Sequence, residues 1–270
     1  MREFFGKRRT KIFDLHALDF DRLALYVLPK FMLEIVRKYL RLEVEGLENI
    51  PDKGRALVIP NHSGWSGFDA VMIGNEIHKA KKRIPRILAH SAYFVGELKV
   101  LSEKMGMQEA STENGTRLLK KGNVVILFPE GEYGNFKPTS ERYHLQEFKR
   151  GFVRMAIQTK APIIPTIVIG AEETHINLGT LKLTKYLKGQ IIPLPLNVLP
   201  LPAKWKIKFL PPITLSNYTD ADLSNSELIH QIADDIRGQM QTAIDHELAN
   251  REWVYFKPKK TEEISGLEET

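Results

Sequence analysis

Five short apolar runs, at residues 55–60, 85–90, 123–128, 162–168 and 205–210, stand between stretches of helical spacing, and this alternation constrains the fold more than any other feature of the chain. The runs are of strand length and rich in β-branched residues. Segments 68–78, 93–104, 111–121 and 146–160 repeat apolar residues every three to four positions; in the last, Phe148, Phe152, Met155 and Ala156 share one side. Strands that alternate with helices form a mostly parallel sheet covered on both faces. The predicted fold class is therefore α/β, a single mostly parallel β-sheet flanked by helices. Ligands of such sheets bind beyond the carboxyl ends of the strands, so the loops after Pro60, His90, Phe128 and Val168 are where a site is expected.

Two helical segments flank this core in the sequence. Residues 19–41 carry Ala24, Leu28, Phe31, Met32, Ile35, Val36, Tyr39 and Leu40 at helical spacing, with Lys30, Arg37, Lys38 and Arg41 between them. Pro29 is expected to kink or divide this amphipathic helix. It can pack on its own core or lie in a bilayer interface; Phe4, Phe5 and the cations Lys7, Arg8, Arg9 and Lys11 upstream favour the interface. Residues 224–253 predict a long terminal helix with Ile229, Ile232, Ala233, Ile236, Met240, Ala243, Ile244 and Leu248 as its stripe. The expected organisation is a basic N-terminal segment and interface helix at 1–42, the main domain at 43–256 and a frayed charged tail at 257–270.

Composition narrows the function classes. A chain of 270 residues, 43% hydrophobic, can bury a core without staples. The absence of cysteine removes thiol catalysis, thiolate zinc sites and disulfide scaffolds. The formal charge of +6 points to an anionic partner or surface. The longest stretch free of charged residues, 189–203, is shorter than the ~18–20 residues of a spanning helix and contains Pro193, Pro195, Pro200 and Pro202. This stretch is either a membrane-docking segment or a packed loop. The basic start of the chain lacks the apolar centre of a signal peptide, so the expectation is a mature cytoplasmic protein.

Chemistry-bearing residues fall at two of the expected strand ends. After the first run, Asn61-His62-Ser63-Gly64-Trp65-Ser66-Gly67-Phe68-Asp69 places a histidine at a strand terminus and an aspartate at the start of a helix. A histidine oriented by a carboxylate is a general base near neutral pH; the plain reading is a turn with Asp69 as a helix cap. After the third run, Phe128-Pro129-Glu130-Gly131 puts a carboxylate and a flexible backbone at the same sheet edge. Glu130 there binds backbone amides or a substrate hydroxyl, or is a solvated turn residue. Downstream, Lys137, Arg142, Lys149 and Arg150 form a cationic stretch suited to a phosphate or headgroup, or a solvated face.

Asn61-His62 with Asp69, then Phe128-Pro129-Glu130-Gly131, then Ala161-Pro162-Ile163-Ile164-Pro165, resemble the ordered motif set of the glycerolipid acyltransferase superfamily, the lysophospholipid and glycerol-3-phosphate acyltransferases. Lys137-Pro138, Glu141-Arg142-Tyr143, Arg150-Gly151-Phe152-Val153-Arg154 and Gly170-Ala171-Glu172-Glu173-Thr174 are similar to its monoacylglycerol-acyltransferase-like branch. The likeness spans about residues 44–215. It implies that His62 deprotonates an acceptor hydroxyl, that Asp69 assists His62, and that Asn61, Ser63, Gly64, Trp65, Phe128, Pro129, Glu130, Gly131, Lys137, Arg142 and Arg150 shape the substrate site. The implied donor is acyl-CoA or an acyl carrier protein, with no cofactor or metal, and the implied setting is peripheral, at the cytoplasmic face of a bacterial membrane. Oxyanion donors are expected among the backbone amides near Gly64 to Gly67 or at Gly131.

Two departures from the family pattern stand out. Six residues separate His62 from Asp69 where the family usually has four. Glu132 and Tyr133 follow Gly131 where enzymes with phosphate acceptors carry Thr or Val and then Arg. The missing arginine removes a contact of about 1.5–3 kcal/mol and favours a neutral acceptor such as a mono- or diacylglycerol, or a phosphate held by Arg142, Lys149 or Arg150. The rival classes are a non-catalytic lipid- or phosphate-binding protein of the same fold, and a serine hydrolase using Ser66, which lacks the Gly-x-Ser-x-Gly spacing. Nucleic-acid binding has only the charge in its favour.

Overall fold

The computed structural model describes residues 28–63, 66–182 and 191–257. In chain order its helices and strands are α1 (Leu28–Tyr39), β1 (Glu43–Glu45), β2 (Ala56–Pro60), α2 (Phe68–Lys81), β3 (Arg86–Ala89), α3 (Glu97–Lys104), β4 (Met107–Glu109), α4 (Thr112–Lys120), β5 (Val124–Ile126), α5 (Glu132–Asn135), α6 (Gly151–Thr159), β6 (Ile163–Ile169), α7 (Ala171–Thr174), β7 (Asn177–Lys182), β8 (Ile191–Pro195), β9 (Lys206–Phe209) and α8 (Ser226–Ala249). All five predicted strands form, and they join β1 and β4 in one seven-stranded sheet of order β1-β9-β6-β2-β5-β3-β4. Every pair is parallel except β6 with β9. That exception has a topological cause, since a parallel return needs a crossover element and none joins β6 to β9 across the sheet among the described residues. The chain instead makes an excursion into a separate two-stranded ribbon, β7 with β8.

The central strands β2, β5 and β6 are buried at every residue, as expected of strands covered on both faces. Alternate side chains divide between two cores. Leu57, Ile59 and Val125 meet Leu118, Phe152, Ile232 and Ile236 from α4, α6 and α8, whereas Val58, Val124 and Ile126 meet Leu40, Met72, Ile73 and Ile77 on the side of α1 and α2. With β2 flanked by β6 and β5, the chain leaves Pro60 at the centre of the sheet's carboxyl edge.

Helix boundaries differ from expectation where tertiary bonds compete. Residues 146–150 are outside α6 because the Gln146 N–H donates to Glu130 Oε2 (2.8 Å) and the Lys149 N–H to the Pro129 carbonyl (2.8 Å). The predicted helix at 93–104 is split into a 3₁₀ turn, Ser91–Phe94, and α3, with Gly96 at φ 56° between them. The terminal helix α8 starts after Asn225, whose side chain caps the Leu228 N–H, and ends at Ala249. Pro29 lies in the first turn of α1, where its missing N–H costs nothing; the expected kink and the remainder of segments 1–42 and 257–270 lie outside the described residues. No helix among the described residues is long and apolar enough to cross a membrane.

Candidate active site

The site is assembled at the carboxyl ends of β2 and β5. Asn61 closes the first of these: its Nδ2 donates to the Val168 carbonyl (3.1 Å) and its Oδ1 accepts from the Val168 N–H (2.7 Å), extending the β2–β6 ladder through a side chain. Expected beside the substrate, Asn61 is instead fully buried and committed to the backbone of β6. It thereby aims the next residue out of the sheet.

His62 is held on three sides. Its N–H donates to Glu130 Oε1 (2.9 Å), its ring stacks on Phe128 with centroids 4.0 Å apart, and its Nδ1 lies 2.7 Å from Asp69 Oδ2. Asp69 is fully buried in the first turn of α2, where the helix dipole favours an anion. Its Oδ2 also accepts from the Ser63 N–H (3.0 Å) and its Oδ1 from the Ala70 N–H (2.7 Å). An ionised carboxylate only accepts, so Nδ1 carries the proton and Nε2 presents its lone pair. The six-residue spacing ends at Gly67, whose φ of 70° turns the chain into α2. Gly64 and Trp65 lie outside the described residues.

Glu130 supports this arrangement from beneath. It is fully buried, with Oε1 on the His62 N–H and Oε2 on the Gln146 N–H, so of its two expected roles the structure shows the binding of backbone amides. Gly134 makes room for it: a Cβ there would stand 2.4 Å from Glu130 Cβ. Gly131, at φ 60°, turns the chain after it, and the Gly131 N–H donates to the Phe128 carbonyl (3.2 Å).

The cationic stretch separates into two groups. Lys137, expected to hold a headgroup, is buried, with Nζ 3.1 Å from Glu172 Oε1 and 3.6 Å from Glu130 Oε2, and it donates to the His144 carbonyl. It is an internal counter-ion, because a buried carboxylate pair without it would be uncompensated. Burial pushes the Glu172 carboxyl up to about 7; Lys137 opposes the rise and Glu130 adds to it. The remaining cations face solvent: Arg142 is exposed, Arg150 pairs with Glu147 (3.3 Å), and Lys149 pairs with Glu132 (3.2 Å) at the edge of the Gly131 turn.

A second buried network ties this loop to the end of β6. Tyr143 donates its hydroxyl to Glu173 and accepts from the Gly170 N–H (2.8 Å), while Glu172 Oε2 accepts from the Tyr143 N–H (3.0 Å). Burial and then Glu173 hold the Tyr143 hydroxyl well above its ordinary range, so it stays a donor. Arg251 closes the network on Glu173 at 2.8 Å. Residues taken singly do not reveal this network; its signal in the sequence is the pair Glu172-Glu173, separated by two residues from a strand that is apolar but for Thr166.

Residues 41–169 match the family model described as Acyltransferase. An uncharacterized protein of Mycobacterium tuberculosis is 35% identical over 274 residues, covering 94% of this chain and 75% of that protein. The chain belongs to the glycerolipid acyltransferase superfamily, and acyl transfer is the class of reaction that goes with it. A human "DGAT1/2-independent enzyme synthesizing storage lipids" is 29% identical over 147 residues, covering 54% of this chain and 45% of that protein. Among solved structures, the lysophosphatidic acid acyltransferase PlsC of Thermotoga maritima aligns with a TM-score of 0.48 at 16% identity, covering 82% of this chain and 80% of that one.

Proposed function

We propose that this chain is a peripheral membrane O-acyltransferase that moves a fatty acyl group from acyl-CoA or an acyl carrier protein to a hydroxyl of a glycerolipid. The observation that carries the reading is the 2.7 Å contact of His62 Nδ1 with a fully buried Asp69. His62 Nε2 takes the acceptor's hydroxyl proton as that oxygen attacks the thioester carbon. The tetrahedral oxyanion collapses, the carbon–sulfur bond breaks, and the imidazolium returns the proton to the leaving thiolate. The products are an ester and a free thiol, and His62 is regenerated. The Gly131 N–H serves the Phe128 carbonyl, which weighs against it as an oxyanion donor. Among the described residues no serine hydroxyl is bonded to His62, which favours direct transfer over a covalent serine intermediate.

A neutral acceptor, a mono- or diacylglycerol, suits the cations better than lysophosphatidic acid. Lys137 is held by two buried carboxylates, and Lys149 and Arg150 already face Glu132 and Glu147, so of the four cations Arg142 alone is exposed without an ion pair among the described residues. The test is thiol release from a long-chain acyl-CoA on vesicles, across monoacylglycerol, diacylglycerol and lysophosphatidic acid. Release should require an acceptor and fall about 10²–10⁴-fold in His62→Ala. An unchanged rate in that variant refutes the mechanism, and vesicle binding without turnover on either donor indicates a lipid-binding protein of the same fold.

A further inference from the structure

We infer that the β7–β8 ribbon, with the loop that follows it, is a bilayer-inserting element that docks the site on an anionic membrane; the purpose, though not the contact itself, rests on the proposed acyl transfer. In an antiparallel pair, opposed residues share a face, and Leu181 opposes Ile192. Ile192 and Leu194 alternate along β8, and Leu196 continues their spacing just beyond it, so with Leu181 they form an aliphatic row. All of these are exposed, and the row continues through Val198 and Leu199, 73% and 82% exposed.

Three observations select lipid over protein as the occupant. First, Leu194 and Leu196 direct their N–H groups inward, to Asn177 Oδ1 and the Ile176 carbonyl. The outward amide positions then fall on Pro193 and Pro195, which have no N–H, so this edge is a poor template for strand addition by another chain. Second, the sequence from Thr174 to Thr219 contains no acidic residue and six lysines. Lys204, Lys206 and Lys208 are paired with Glu43, Glu45 and Glu247, and the stretch as a whole is cationic in sequence, as suits an anionic leaflet. Third, the surface is continuous with α1. The Tyr39 hydroxyl donates to the Pro200 carbonyl (2.7 Å), and Phe31, Met32 and Ile35 lie exposed beyond Tyr39 on the same helix.

The ribbon is also rigidly joined to the site. Asn177 Nδ2 donates to the Phe136 and Lys137 carbonyls, and His175 stacks on Phe68, the residue before Asp69. Insertion of the ribbon would therefore hold the His62 edge of the sheet against the interface where acyl chains reside.

Because the chain has no cysteine, Leu196→Cys carries a single environment-sensitive fluorophore in the full-length protein. On phosphatidylcholine vesicles containing phosphatidylglycerol, the probe at 196 should shift to the blue and be quenched by acyl-chain nitroxides, while a probe at exposed Lys120 should not. Leu194→Ser/Leu196→Ser/Val198→Ser should partition about tenfold or more weakly with an unchanged thermal melt. A probe at 196 that stays in water on bound vesicles overturns the inference. So does a shift that grows with protein concentration alone, which means a second copy, or one already complete in dilute protein, which means residues 1–27 cover the face. Insertion without thiol release leaves this surface standing and removes the acyltransferase reading; thiol release with the probe in water does the reverse.

Discussion

Asp69→Asn tests the site with the smallest change of shape. In the wild type, Oδ2 accepts from His62 Nδ1 and the Ser63 N–H, and Oδ1 accepts from the Ala70 N–H. An asparagine has one acceptor oxygen, so its amide N–H₂ must face the Ala70 donor, or else the two donors on the Oδ2 side. With the oxygen toward His62, the tautomer survives but the imidazolium loses its counter-charge. With the amide toward His62, Nδ1 becomes the acceptor and Nε2 carries the proton, which abolishes the base. A hydrogen bond to a charged group contributes about 1.5–3 kcal/mol, and each 1.36 kcal/mol is a factor of ten in rate. Thiol release should therefore fall by about 10–150-fold, with a melting temperature lowered by the unsatisfied buried donor. Because His62 and Asp69 act as a unit, His62→Ala/Asp69→Asn should be no slower than His62→Ala. A folded Asp69→Asn enzyme that turns over at the wild-type rate would show that the carboxylate does not serve the base, and a double variant with multiplied losses would show that the two residues act separately.

The buried charges give two further expectations. The Glu172 carboxyl rises from an ordinary 4.5 to about 7 on folding, so the folded chain binds more protons than the unfolded one between those values; its contribution is complete below pH 4.5 and lost as pH rises through 7. Chemical denaturation should show stability declining across that window, by up to about 3 kcal/mol, with Glu172→Gln flattening the decline; an unchanged slope in that variant would assign the proton elsewhere. Lys137→Met should destabilise by about 3–5 kcal/mol, because Glu130 and Glu172 lose their shared counter-ion, whereas exposed Lys149→Ala should cost less than about 1 kcal/mol. Equal effects in urea melts would contradict the division of the cationic stretch, and a KM for lysophosphatidic acid raised by Lys149→Ala, with monoacylglycerol unaffected, would restore a phosphate role to Lys149.

The sheet and the dyad were the legible parts. Val124–Ile126 is apolar throughout and Ile163–Ile169 is apolar but for Thr166, and a strand buried on both faces is what tolerates that pattern, so local sequence sufficed. His62 and Asp69 could be paired because a strand end and the next helix start are neighbours wherever the chain goes. The exact sense of β9 could not be read, since Trp205 to Leu210 has the same alternation whether it pairs parallel or antiparallel. The ribbon is not legible in the sequence because its prolines suggest a loop, and its pairing with Asn177–Lys182 is set by a partner strand outside the proline-rich stretch.

Charge shows the same division most sharply. As letters, Lys137, Lys149 and Arg150 are equivalent cations on one stretch, and sequence alone determined only that the stretch is basic and follows the Glu130 turn. Folding placed Lys137 between two buried carboxylates, left Lys149 at the solvent edge, and drew 146–150 out of the helix through bonds to Glu130 and Pro129. Periodicity and residue order are local properties that a strand or a helix expresses wherever it lies. The work of each charge depends on which groups, distant in sequence, share its low-dielectric surroundings, and only the tertiary structure decides that.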